Sequence, residues 1–220
     1  MPIPDPSIYL SDLVRTLRAH WPENRTVNIA CHGHSVPAGY FATPLVSTFD
    51  AYPHLLHRGL KDRFPFAVIN VVVTAIGGET SDRGAARFER DVLGFLPDVV
   101  TIDYGLNDRR IGLELAERSW RKMIEKALET GASVILLTPT LDAASRLADS
   151  VDGGALAQHA QQIRMLADAY SVGLADSYGA FHAYLERGGE LSDLLAWPNH
   201  PNRRGHELVT QALLRWFPAL

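Results

Sequence analysis

Residues 27–39 read VNIACHGHSVPAG. Val27, Ile29 and Cys31 alternate as the inward residues of a pleated strand do, and the pattern breaks off at His32-Gly33-His34-Ser35. Gly33 permits a backbone turn that a residue with a Cβ would resist. A small hydroxyl, that of Ser35, therefore stands at the carboxyl end of a first strand, where open α/β sheets gather their chemistry.

On both sides of this stretch, helix-like and strand-like periodicities alternate. Residues 7–20 carry Ile8, Leu10, Leu13 and Leu17 on one helical face. Pro53 suits the first turn of a helix that runs to about Arg63. The run FAVINVVV, residues 66–73, is nearly continuously apolar, as expected of a strand covered on both faces in a parallel sheet. A helix over 83–95, a strand over 99–103, a helix over 113–130 and a strand over 133–138 follow. Residues 141–154 are small and polar, end in Asp-Gly-Gly, and are expected to form a mobile loop beside the site. A helix over 156–170, a short strand over 172–175, and helices over 177–186 and 203–216 complete the chain. The alternation predicts right-handed βαβ units in one domain, residues 1–220: a three-layer α/β/α fold with a five-stranded parallel sheet, flavodoxin-like in outline.

Composition narrows the functional classes. With 46% hydrophobic residues the chain can bury a sizeable core. The net charge of −4, without basic stripes or aromatic platforms, argues against a nucleic-acid partner. The single Cys31 cannot form an intrachain disulfide and reads as a small core residue. No signal-peptide pattern opens the sequence and no apolar window suits a membrane span, so a soluble cytoplasmic protein is expected.

Four element ends carry chemistry. His34-Ser35 is the first. Ile76-Gly77-Gly78-Glu79-Thr80 is the second, where paired glycines let backbone N–H groups approach a ligand. Asp103-Tyr104-Gly105-Leu106-Asn107-Asp108 is the third, with an Asn amide able to face a developing oxyanion. Asn199-His200-Pro201-Asn202 is the fourth, in which Pro201 biases His200 towards extended backbone. Each has an ordinary structural alternative as a cap or a turn.

Taken in order, these blocks resemble those of the SGNH, or GDSL, hydrolase superfamily over about residues 29–206. The resemblance implies that Ser35 is the nucleophile, in GHS rather than GDS. It implies that Gly78, Asn107 and the Ser35 N–H form the oxyanion hole, and that His200 is the base. It also implies ester hydrolysis through an acyl-enzyme, with no metal or organic cofactor. The family's acid falls three residues before the histidine, where this chain has Trp197. A Ser-His dyad is therefore expected, with His200 oriented by the backbone carbonyl of Trp197, and Asp193 as the rival acid.

The expected substrate is a small-molecule short-chain ester, with an acyl group on a sugar as one option. His34, Tyr40 and Trp197 are candidate substrate contacts, with Phe41, His32, Arg109 and Arg110 nearby. Two other classes stand beside the esterase. One is a carbohydrate- or small-ligand-binding module on the same fold, which the missing acid would favour. The other is a metallohydrolase using His32, His34, Asp108 and His200, although histidines two apart on an extended chain face opposite ways.

Overall fold

The computed structural model describes residues 2–146 and 151–219. Helix α1 (Ser11–Arg18) precedes strand β1 (Thr26–Gly33), which runs into the short helix α2 (Ser35–Ala38). Helix α3 (Tyr52–Arg63), strand β2 (Val68–Val73), helix α4 (Ser81–Asp91), strand β3 (Val99–Asp103) and the one-turn helix α5 (Gly105–Asp108) follow. Next come helix α6 (Gly112–Glu129), strand β4 (Ser133–Leu137), helix α7 (Val151–Tyr170), strand β5 (Gly173–Ala175) and helix α8 (Ser177–Glu186). A small hairpin of β6 (Leu195–Trp197) and β7 (His200–Pro201) leads into helix α9 (Arg203–Leu214).

The five main strands form one parallel sheet in the order β2-β1-β3-β4-β5. Every pairing is parallel, with Val27 opposite Ile69 and Cys31 opposite Thr101. Alternation sends Val27, Ile29 and Cys31 to one face and Ala30 to the other, each into its own buried cluster. On the first face, Leu56 and Leu60 of α3 and Val209 and Leu213 of α9 cover the sheet. On the second, Phe88 of α4, Trp120 and Met123 of α6 and Ile163 of α7 cover it. This is the flavodoxin-like three-layer arrangement, and the strand order reverses direction about β1. Chain segments leaving β1, β2 and β3 therefore emerge side by side at the carboxyl edge. Among the described residues, no helix is long and apolar enough to cross a membrane.

Two expectations change. The strand expected over 66–73 forms as β2 (Val68–Val73) at the sheet edge, not covered on both faces: Val68 is 47% exposed and, within β2, only Ile69 is buried. An apolar run records residue preference for strands, not position in the sheet. Residues 141–154 are not one mobile loop. Leu141 and Asp142 are buried, Ala143–Arg146 form a 3-10 turn, and α7 already begins at Val151. The Ala143 N–H donates to the Pro198 carbonyl at 2.6 Å, tying this segment to the hairpin that carries His200. Residues 147–150 of that expectation lie outside the described residues.

Candidate active site

Ser35 opens α2 at the end of β1. The turn is tight: a Cβ on Gly33 would sit 2.4 Å from the Asp103 carbonyl oxygen, so only glycine lets β1 run this close to β3 there. His34 caps α2, its Nδ1 accepting the Val36 N–H at 3.2 Å. The Ser35 N–H makes no hydrogen bond among the described residues and is free to donate.

His200 meets Ser35 from the far end of the chain. The β6–β7 hairpin carries it over the sheet edge, and its Nε2 lies 3.0 Å from Ser35 Oγ. Its Nδ1 lies 2.9 Å from the carbonyl oxygen of Phe41. A carbonyl can only accept, so the proton sits on Nδ1 and Nε2 is left to accept from the serine. Burial lowers the pKa of His200, the Phe41 bond partly opposes this, and the nearby His34 lowers it further. The imidazole is therefore neutral at neutral pH, as a proton acceptor must be.

The orienting group thus differs from expectation. Trp197 pairs with His200 across the hairpin, but His200 Nδ1 is taken by the Phe41 carbonyl, and the Trp197 side chain is 52% exposed. The Asp193 carboxylate accepts the Tyr184 hydroxyl at 2.8 Å and the Glu190 N–H at 3.0 Å, closing a capping box. Phe41 is in turn fixed by His206, whose ring stacks on it with centroids 5.4 Å apart. His206 Nδ1 accepts the Tyr52 N–H at 3.1 Å. Burial pushes the His206 pKa down to about 3, so it stays neutral.

The second and third blocks lie beside Ser35. Gly78 has φ +76°, a region that favours glycine, and its N–H is unpartnered among the described residues. Its carbonyl accepts Arg110 Nη2 at 2.6 Å. Asn107 Nδ2 donates to the Glu79 carbonyl at 2.9 Å, with its second hydrogen still available. The Asp108 carboxylate accepts the Ser81 N–H at 2.8 Å and Trp120 Nε1–H at 2.7 Å, locking α5 to α4 and α6.

A buried polar network underlies the glycine turn. The Glu79 carboxylate accepts Arg87 Nε at 2.9 Å and Nη2 at 2.5 Å, and the Tyr104 hydroxyl at 2.8 Å. His32 Nε2 lies 3.0 Å from that hydroxyl and Nδ1 lies 2.9 Å from Thr74 Oγ1. Burial, with Arg87 nearby, pushes the His32 pKa down to about 4, so it serves as a neutral link. The sequence assigned no role to Glu79, Arg87 or Tyr104, and it placed Phe41 near the substrate as an aromatic, not as the carbonyl that orients His200. Charged residues beside a strand end were the one available signal for the first two.

Of the candidate substrate contacts, Tyr40 and Trp197 remain at the rim. Tyr40 is half-buried, its ring centroid 5.9 Å from that of His200, and its edge fills the space where a Gly77 Cβ would stand. His34 does not face a substrate: it is fully buried, with Nε2 3.4 Å from Asp103 Oδ1. It points inward because its cap bond to Val36 turns the ring beneath the helix. Arg109 is paired with Asp142 at 2.6 Å. His32, His34, Asp108 and His200 are each engaged with different partners, and no group of three potential metal ligands occurs among the described residues. Burial pushes the Cys31 thiol up to about 12, which leaves it inert.

A hydroxyl–imidazole pair at the carboxyl edge of a doubly wound sheet, with free N–H donors beside it, is the layout of a serine hydrolase. Residues 31–208 match the GDSL-like lipase/acylhydrolase family. The chain belongs to that family and is a carboxylic ester hydrolase with the SGNH-hydrolase fold. It is similar to an acetylxylan esterase from Geobacillus stearothermophilus, 26% identical over 175 residues, covering 71% of this chain and 75% of the relative. A crystal structure of an acetylxylan esterase from the same organism superposes with a TM-score of 0.74 at 23% identity, covering 87% of this chain and 94% of the other. A two-domain esterase active on acetylated mannans superposes with a TM-score of 0.74 at 21% identity, over 95% of this chain and 52% of that one.

Proposed function

We propose that the protein removes short acyl groups, acetyl foremost, from an acylated carbohydrate through an acyl-enzyme on Ser35. The observation that carries this reading is the 3.0 Å contact between Ser35 Oγ and His200 Nε2, beside the unpartnered N–H groups of Ser35 and Gly78. Ser35 Oγ attacks the ester carbonyl carbon, the Oγ–C bond forms, and the carbonyl π pair moves to oxygen. The Oγ proton passes to His200 Nε2. The two N–H groups and Asn107 Nδ2 receive the oxyanion. The imidazolium then protonates the leaving alkoxide as the C–O bond breaks. Water repeats the sequence on the acyl-enzyme and frees Ser35.

The substrate class is supported by the rim and by the relatives. Tyr40 narrows the site beside Gly77, which suits a small acyl group. The exposed indole of Trp197 offers a flat apolar face with a polar edge to a sugar ring. The related esterases named above act on acetylated xylan and mannan. A binding module without turnover is disfavoured by the serine–imidazole contact, which binding alone does not need. The test is release of acetate from acetylated xylo- and manno-oligosaccharides, compared with p-nitrophenyl esters of rising chain length. Fastest turnover on acetyl esters, with sugar acetates preferred over simple alkyl acetates, supports the reading. A preference for long acyl chains would replace it with a lipase.

A further inference from the structure

Ser35 Oγ touches two imidazoles: His200 Nε2 at 3.0 Å and His34 Nδ1 at 3.3 Å. The two rings are backed differently. His200 has the neutral carbonyl of Phe41 behind it. His34 has a carboxylate, with Nε2 3.4 Å from Asp103 Oδ1 and both side chains almost wholly buried. The carboxylate missing from the usual place is therefore present in the site, but on the other histidine.

We propose that His34, backed by Asp103, is a second acceptor for the Ser35 proton, so that the nucleophile is served by two imidazoles and only the buried one carries an acid. This inference rests on the esterase reading above. Asp103, His34 and Ser35 lie in the order of a Ser-His-Asp triad with the ring nitrogens exchanged. At rest, Nδ1 of His34 accepts the Val36 N–H, which leaves the ring proton on Nε2, 3.4 Å from Asp103 Oδ1 and without a hydrogen bond. When Oγ attacks, its proton can pass to His34 Nδ1, displacing the Val36 N–H. The resulting imidazolium then stands within ion-pair distance of a buried carboxylate, and a small ring rotation closes the hydrogen bond that is absent at rest. A charge-assisted partner of this kind is stronger than a neutral carbonyl, and that difference offsets the displaced cap bond. His200 remains the group that returns a proton to a leaving alkoxide, since His34 lies beneath the helix. The His34 route therefore serves acylation best when the leaving group departs as a stable anion.

A fluorophosphonate isolates this step: the Oγ–P bond forms, fluoride leaves with the P–F electron pair, and the serine proton stays on an imidazole. His34→Asn keeps an oxygen to cap the Val36 N–H but has no basic nitrogen. Asp103→Asn keeps the shape and loses the charge. Each is made in the wild-type chain and in His200→Ala, with folding checked by thermal melt. His200→Ala is expected to label slowly at Ser35. Adding His34→Asn is expected to cut that rate by a further ~10²-fold, the lower range for a general base. Adding Asp103→Asn should also reduce it, and in the wild-type background Asp103→Asn should lower kcat on p-nitrophenyl acetate with KM unchanged. If His34→Asn does not fold, the Asp103→Asn pair carries the test. Labelling of His200→Ala that is indifferent to the second substitution overturns the second acceptor while the esterase stands. Failure of the wild type to label at Ser35 overturns both.

Discussion

His200 Nδ1 lies 2.9 Å from the carbonyl oxygen of Phe41, a residue six positions after the serine that the same imidazole faces. The segment that begins with the nucleophile thus also orients its base. Because His200 Nδ1 faces a peptide carbonyl while the Asp193 carboxylate is taken up by Tyr184 and Glu190, Asp193→Asn should leave kcat nearly unchanged and act on stability through the lost capping box. Phe41→Ala, which loses the stack on His206, should lower kcat while leaving KM alone. A ~10³-fold or greater fall in kcat for folded Asp193→Asn, as loss of a triad acid can produce, would show that a carboxylate orients His200 after all.

Asn107 should act on the transition state. Its amide donates one hydrogen to the Glu79 carbonyl and keeps the second for an oxyanion. Asn107→Ala should lower kcat by ~10²–10³ with little change in KM. Steady-state kinetics on p-nitrophenyl acetate decide this, and a change confined to KM would assign Asn107 to substrate binding.

Glu79 should matter both to stability and to catalysis. Its buried carboxylate pairs with Arg87 and Tyr104 directly beneath the turn that presents the Gly78 N–H. Glu79→Gln removes the nearer of two carboxylates on Arg87, leaving Asp91 at 3.4 Å, so the loss should approach but not exceed the ~3 kcal/mol of a fully broken buried pair. Denaturant unfolding should show that loss, and kcat should fall in the surviving folded fraction. Unchanged stability would mean that solvent reaches Arg87 freely.

Acid should act twice. The lowered pKa of His200 keeps it neutral down to below the usual imidazole value of ~6.5, so kcat/KM should hold at neutral pH and fall on a limb placed below that value. Stability should follow from His32 and His206. Their folded pKa values, about 4 and about 3, lie below the unfolded value, so between those limits the unfolded chain binds protons that the folded chain refuses. Their contribution is complete above pH ~6.5 and is lost as pH falls towards the folded values, by up to ~1.4 kcal/mol per pH unit for each histidine. Melting temperatures at pH 7 and pH 5 should differ, and His206→Gln should flatten that slope. A limb in kcat/KM above pH 7 would contradict the lowered pKa of His200.

The site was legible in the sequence wherever it depends on side-chain type. Ser35, Gly78, Asn107 and His200 stood out through the resemblance of their blocks to the family's, and in the structure Ser35 Oγ and His200 Nε2 lie 3.0 Å apart. The strand over 99–103 and the helix over 177–186 also carry the expected boundaries, because Pro97 and Asp176 mark their starts. What was not legible depends on backbone and on tertiary pairing. A peptide carbonyl such as that of Phe41 has no side-chain signature. The run before residue 73 shows preference for a strand but not that β2 lies at the edge. Gly153 and Gly154 suggest a loop, yet α7 extends through them, so local propensity was overridden. His34 looked like a rim residue because its polarity suggests exposure, whereas a cap bond and Asp103 hold it inside.

The central claim, that Ser35 carries the acyl group, is tested most directly by acid-quenching the enzyme during p-nitrophenyl acetate turnover and mapping the adduct by peptide mass spectrometry. One acetyl group on Ser35, absent in Ser35→Ala and accumulating when deacylation is slowed, is the predicted result. An acetyl group on another residue, or undiminished turnover by Ser35→Ala, would contradict it.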